Sequence, residues 1–203
     1  MPAVRPQLIK VVRNAYPETS EGVKPTKSLG ENVFSGRTPH PNEVLNLFVQ
    51  QKLTSALPMA YYMAAGRGVD SLMNKSLPQR ATLSPEDLQS AIEGLMALRE
   101  FELNETYRLV LGSKASHSCP SSNCPSRDTA GPRASDAHTR VINRITAASQ
   151  SGTKVLQVLS SSSICEGNSD VFCESCVKRW EAGHVEVRRR AWNMLPDVFG
   201  LRA

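Results

Sequence analysis

The tetrapeptide Ser84-Pro85-Glu86-Asp87 constrains this chain more than any other short stretch, because it specifies where a long helix begins. The serine hydroxyl can cap the first turn, and proline at the first helical position gives up an N–H that would have no partner there. The two acids that follow sit where the helix dipole favours negative charge. Leu88, Ala91, Ile92, Leu95, Met96, Leu98, Leu103, Tyr107, Val110 and Leu111 then recur at helical spacing as a wide, drifting apolar face, with Gly112 as the expected stop. At 1.5 Å per residue such a helix is about 40 Å long, a central strut for a small domain. Glu100, Glu102 and Glu105 are expected on its solvated side rather than as an acid–base pair.

A second long helix is expected near the end, in FCESCVKRWEAGHVEVRRRAWNMLPDVFGL over Phe172 to Leu201. Its stripe runs Cys173, Cys176, Val177, Trp180, His184, Val187, Ala191 and Leu195 in steps of three and four, and is expected to dock on the Ser84–Gly112 helix. Trp192 falls on another face, near Pro196, Val198 and Phe199. Glu174 with Lys178 and Glu186 with Arg190 are acid-first pairs four residues apart, the favourable orientation on a helix surface. Arg188, Arg189 and Arg190 are candidates for contact with an anion such as phosphate, set against the plainer reading of a solvated basic face.

Between and before these helices the spacing predicts shorter ones separated by irregular chain. Leu8, Val11, Val12 and Ala15 mark one face of a helix over Arg5 to Ala15, and the polar, Gly- and Pro-rich text from Glu18 to Pro41 reads as a long loop. Asn42 is expected to cap a helix carrying Val44, Leu45, Leu47, Phe48 and Val49, and Ser55 to start another. In that next helix Pro58 fits the first turn, and Met59, Ala60, Tyr61, Met63 and Ala64 predict burial up to Gly66 and Gly68. Tyr61 and Tyr62 read as core residues whose hydroxyls find partners, not as a stacking platform. Ala134 to Ala148 returns to helical spacing, and SSSSICEGNSDVF is a polar loop carrying Cys165.

Five cysteines supply the one constellation with chemistry in it. Cys119 and Cys124 have four residues between them and Cys173 and Cys176 have two, both within the range that lets two thiolates reach one tetrahedral zinc. The second pair falls at a helix start, where exposed N–H groups favour thiolate. The first lies in KASHSCPSSNCPSRDTAGP, which lacks any hydrophobic period and would gain stability from a crosslink. The 48 residues between the pairs exceed the spacing of most short zinc fingers, so spacing leaves structural zinc and unligated thiols both open. His117, Cys165 and His184 are substitute ligands. A redox role for Cys173-Glu174-Ser175-Cys176 is disfavoured because no βαβ pattern precedes it.

Composition narrows the remaining classes. In 203 residues, 40% hydrophobic and 21% charged content suits a chain with a real core, while 13 prolines imply considerable loop. A formal net charge of +5 permits nucleic-acid contact without arguing for it. Arg5, Lys10 and Arg13 interrupt any signal-like apolar run, and no stretch is apolar enough for a membrane span, so an intracellular site in cytoplasm or nucleus is expected. No phosphate loop, nucleophile elbow, HExxH or dinucleotide fingerprint is present, which argues against an enzyme.

Three segments in order, LPMAYYMAAGRG (57–68), LSPEDLQSAIEGLMALRE (83–100) and the C-terminal FCESCVKRWEAGHVEVRRRAWNMLPDVFGL (172–201), resemble the region after the BTB/POZ core in BTB-domain proteins of mushroom-forming fungi. The resemblance covers nearly the whole chain and lacks the BTB core itself. It implies an all-helical, non-enzymatic region that binds protein partners, with cysteine pairs recurring in the family's manner. The expectation is therefore an all-α, irregular helical bundle with long loops and a structural Zn²⁺ site. Its parts are an N-terminal helix and loop (1–41), a helical domain (42–112), a Ser/Pro/Cys loop (113–132) and a C-terminal helical segment packing on 42–112 (133–203). The expected function is a protein-interaction module of adaptor or regulatory type; the alternative is a zinc-stabilised, basic nucleic-acid-binding protein.

Overall fold

A computed structural model describes residues 40–74, 76–115, 139, 143, 156 and 173–201. Among these residues there are helices and no strand, as the all-α expectation requires. The predicted helix over 5–15 and the loops carrying Cys119, Cys124 and Cys165 lie outside the described residues. Of the predicted helix over 134–148, only Thr139 and Asn143 are described; both are helical and exposed.

Helix α1 spans Pro41–Gln50. Its cap is His40, two residues earlier than Asn42's predicted place: His40 is extended, and its Nδ1 accepts the Asn42 N–H at 3.3 Å. The cause is Pro41, whose fixed φ suits the first helical position and pulls the start upstream. Asn42, only 1% exposed, instead turns its amide toward the 3₁₀ turn Gln79–Ala81, donating to the Ala81 carbonyl at 3.1 Å. One helical turn on, Asn46 donates to the carbonyls of Arg80 and Thr82 at 2.9 and 2.8 Å, and Glu43 pairs with Arg80 at 2.9 Å. These polar contacts fasten one side of α1, while Val44, Leu45 and Phe48 bury the other.

Where Ser55 is expected to start a helix, a 3₁₀ turn runs over Thr54–Ala56 and leads into α2, Leu57–Ala65, with Pro58 in its first turn. As predicted, α2 is mostly buried, with Met59, Ala60, Tyr61, Tyr62, Ala64 and Ala65 in the core, although Met63, expected among them, is only half-buried. A short helix α3, Val69–Leu72, follows Gly68.

Helix α4 spans Pro85–Ala115. Ser84 caps it as expected: its Oγ accepts the Asp87 N–H at 3.0 Å and donates to Asp87 Oδ2 at 2.7 Å. The helix passes through Gly112, the predicted stop, because a single interior glycine costs only about 1 kcal/mol relative to alanine. Its core line is Ala91, Leu95 and Leu98, whereas Met96, one residue and about 100° round from Leu95, points outward at 59% exposure. Glu100 is exposed, but Glu102 is buried and Glu105 half-buried, which corrects the solvated-face reading. They follow Leu98 by successive steps of four and three, so they continue the inward side of the helix.

Helix α5, Glu174–Val198, runs antiparallel to α4. The register is read from three levels: Gly183 against Leu109, Arg190 against Glu105 and Phe101, and Phe199 against Gly94. Val187, Ala191, Leu195 and Phe199 are buried at successive four-residue steps. Of the two expected surface pairs, Glu174–Lys178 forms at 2.7 Å, but Arg190 is drawn across to α4 and Glu186 pairs with Arg189 at 2.6 Å instead. A partner on α4 holds the Arg190 guanidinium in a less solvated place than an exposed carboxylate on its own helix. The C-terminus closes with the Leu201 N–H on the Pro196 carbonyl (2.7 Å) and the Gly200 N–H on Asp197 (3.0 Å), Gly200 taking the left-handed φ of 67° that this closure needs.

Candidate functional site

The end of the α4/α5 pair that carries cysteine is the place to look for the expected metal centre. Cys173 is the N-cap of α5, extended and half-buried, and Cys176 occupies the third helical position. The same relation holds between Ser84 and Asp87 at the start of α4, where the two side chains meet; a Cys-x-x-Cys at a helix start thus puts both positions on one side of one turn. Because the helices are antiparallel and level at Gly183 and Leu109, the beginning of α5 and the end of α4 lie at the same end of the pair. Cys119, Cys124, His117 and Cys165 lie outside the described residues, and among the described residues no three His, Cys, Asp or Glu side chains group as metal ligands would.

His184 is half-buried and lies eleven residues beyond Cys173, which at 1.5 Å per residue is about 16 Å along α5 and so away from the cysteine end. Burial pushes its imidazole below the ordinary histidine value, and the neighbouring Arg188 charge adds to this. The site therefore favours the neutral ring.

The three consecutive arginines separate on the helix. Arg188 donates from Nε to the carbonyl of Leu156 at 3.1 Å, and burial lowers its pKa. Arg189 forks onto Glu186 at 2.9 and 2.6 Å on the exposed side. Arg190 reaches α4, where its Nη1 meets Glu105 Oε1 at 2.9 Å and Nη2 bonds the other oxygen, while the guanidinium lies 5.6 Å from the centre of the Phe101 ring. Successive helical residues point about 100° apart, so the run presents three separate cations and not one phosphate cradle.

No family model, curated protein or solved structure matches the chain. The BTB/POZ likeness accordingly rests on the three segments quoted above.

Two polar centres went unread in the sequence beyond the expectation that buried tyrosines find partners. Tyr61 donates its hydroxyl to Asp87, joining α2 to the capped start of α4; burial, then this bond, raises the phenol well above its ordinary value. Tyr62, 5% exposed, accepts the Leu156 N–H at 3.2 Å. Burial is the main cause raising its pKa, with Glu102 adding to the rise and the Leu156 bond and Arg188 opposing it. The signal for both was available in the adjacent tyrosines of an otherwise apolar helix, since a buried phenol needs a partner.

Proposed function

We propose that the chain is a non-enzymatic, helical protein-interaction module of the kind its BTB/POZ resemblance implies, stiffened by one structural zinc. The ligands are Cys119, Cys124, Cys173 and Cys176. The observation that carries this reading is the shared end of the α4/α5 pair. Cys173 caps α5 there, and Cys119 follows Ala115, the last residue of α4, by four positions, a stretch of chain reaching at most about 14 Å. A thiolate at a helix N-terminus gains from the dipole, and four such ligands make the closed tetrahedral shell of a noncatalytic site. The scaffold reading is further supported by how the described ionisable groups are used: Asp87, Glu105 and Arg188 each bind another element of the same fold.

The test is metal analysis of protein purified without added zinc, together with melting in chelator. About one equivalent of zinc, reduced in Cys173→Ser, and a lower melting temperature in chelator are expected. Less than about a tenth of an equivalent, with unchanged melting, overturns the zinc centre.

A further inference from the structure

Helix α4 carries a second apolar stripe beside the line that builds the core. Successive helical residues turn by about 100°, so Leu88, Ile92, Met96 and Leu103 share an arc of about 80°. Ala91, Leu95 and Leu98 of the core border it on one side. Glu86, Glu93 and Glu100, all exposed and about 10 Å apart along the axis, border it on the other. Leu88 and Ile92 are partly buried against the core, Leu103 is half-buried, and Met96 is 59% exposed. Half-buried Arg99, the one charge within the stripe, lies toward its core edge. An apolar strip flanked by a row of carboxylates is complementary to a basic amphipathic helix, which can bury its apolar face and pair its cations at once.

We propose that the chain's own segment Arg5–Ala15 packs as a helix on this stripe. Charge is the first reason for this occupant. The segment carries Leu8, Val11, Val12 and Ala15 at the spacing of one helical face, together with Arg5, Lys10 and Arg13 and no acid before Glu18. In a helix Arg5 and Arg13 flank that face about 12 Å apart, close to the spacing of the carboxylates. The point of attachment is the second reason. The described chain begins at His40, and Asn42 holds the Ala81 carbonyl at 3.1 Å, three residues before Ser84. The N-terminal chain is thus tethered beside the end of α4 where the stripe begins. Residues 16–39 can span at most about 80 Å, so the segment reaches every part of the stripe, and the tether keeps its effective concentration high. As a helix the segment is about 16 Å long, within the roughly 22 Å from Leu88 to Leu103. This packing goes beyond the interaction-module reading and does not depend on zinc.

The test is hydrogen exchange of the full chain, read by mass spectrometry. Amides of residues 8–15 are expected to exchange at least about tenfold more slowly than in an isolated peptide of the same sequence. Met96→Asp should remove most of that protection, because it sets a charge in the apolar contact. Charge gives a second measurement should Met96→Asp lose its helical circular dichroism. Glu93→Lys with Glu100→Lys should lower the protection about threefold, Arg5→Glu with Arg13→Glu likewise, and the four together should restore it. In an equimolar mixture of unlabelled and isotopically labelled chains, carbodiimide should join Lys10 to Glu93 or Glu100 within one chain. Unprotected amides in 8–15, or protection there that ignores both Met96→Asp and the charge reversals, overturns the proposal. So do crosslinks of mixed label, which put a second copy on the stripe, and a Met96→Asp response in 134–148 in place of 8–15, which puts that segment there.

Discussion

Replacing Gly94 by alanine should destabilise the protein, against the ordinary rule for glycine in a helix. Alanine in a helix interior is worth about 1 kcal/mol over glycine. Here a Cβ would fall 2.1 and 2.2 Å from Cε1 and Cδ1 of Phe199 and 3.1 Å from its Cζ. The ring has little room to retreat, being 1% exposed and stacked on Tyr61 with centroids 5.2 Å apart and planes 21° apart. Tyr61 is itself tied through its hydroxyl to Asp87 at the capped start of α4. Overpacking a rigid core costs about 1–3 kcal/mol, and disturbing the ring stack about 1 more, so the net loss should be about 1–3 kcal/mol. Urea unfolding followed by circular dichroism measures it. In a Phe199→Leu background the same substitution should cost less, with a coupling energy above about 1 kcal/mol. Gly183→Ala is the control: its Cβ would meet the Leu109 side chain, with Cδ2 at 2.5 Å but Cδ1 and Cγ at an ordinary 3.7 Å, the end of a side chain that can change rotamer, so the loss should be much smaller. Gly94→Ala as stable as wild type, or more so, would refute the packing argument.

Two further outcomes follow from local chemistry. His40 and His184 are both held below the ordinary value of 6.5, His40 by burial and then Arg67 against an opposing Glu43, His184 by burial and then Arg188. Below that value the unfolded chain takes up protons that the fold refuses, so stability is full above about pH 6.5 and is lost as pH falls through the lowered folded values. Unfolding free energy should therefore decline on acidification before the carboxylates titrate, His184→Gln should flatten part of the decline, and a level profile would contradict it. Lys52 closes α1 in the left-handed region at φ 52°, its N–H on Val49 and the Leu53 N–H on Phe48. Lys52→Gly should raise stability by about 0.5–1 kcal/mol in the same denaturation assay, since relief of the left-handed strain exceeds the added freedom of the unfolded chain.

What the sequence made legible was what depends on neighbours in the chain. The Ser84–Asp87 start of α4, the buried character of α2, the long C-terminal stripe and the place of Cys173 and Cys176 at a helix start all follow from spacing and capping chemistry. The misreadings required knowledge of which helix lies opposite. Glu102 and Glu105 resemble surface acids until packing buries the first and α5 brings Arg190 to the second, and Arg190 chooses Glu105 over Glu186 only because α4 brings that carboxylate within reach. Asn42 resembles a cap until the carbonyl of Ala81, far along the chain, offers its amide a buried acceptor. Gly94 carried a sign of its own, a glycine in the middle of a strong helical pattern, but only Phe199 explains it. For the metal centre, spacing could nominate four thiols; convergence of two pairs separated by 48 residues is a property of the fold, and Cys119 and Cys124 lie outside the described residues.

The register of α4 against α5 is the physical quantity on which the cysteine end depends. Alanine and leucine contacts such as Ala91, Leu95, Ala191 and Leu195 are non-directional, and by themselves they tolerate sliding one helix along the other. Three features do so less. Phe199 fits only where residue 94 lacks a Cβ, Arg190 forks onto Glu105 in the middle, and, as the weakest of the three because the leucine can change rotamer, Gly183 admits Leu109 near the far end. Moving α5 by one residue turns its side chains by about 100° and shifts them 1.5 Å along the axis, so it would break all three at once. Tyr61 and Asp87 extend the same constraint to α2, and Asn42 and Asn46 to the 3₁₀ turn beneath α1. With only 5% aromatic residues to key the core by shape, the chain fixes its helices through polar contacts placed at their junctions. The height of Cys173 beside the end of α4 is then set by contacts about 15 to 40 Å away along α5, and a substitution at Gly94 tests the frame on which any metal centre at that end would stand.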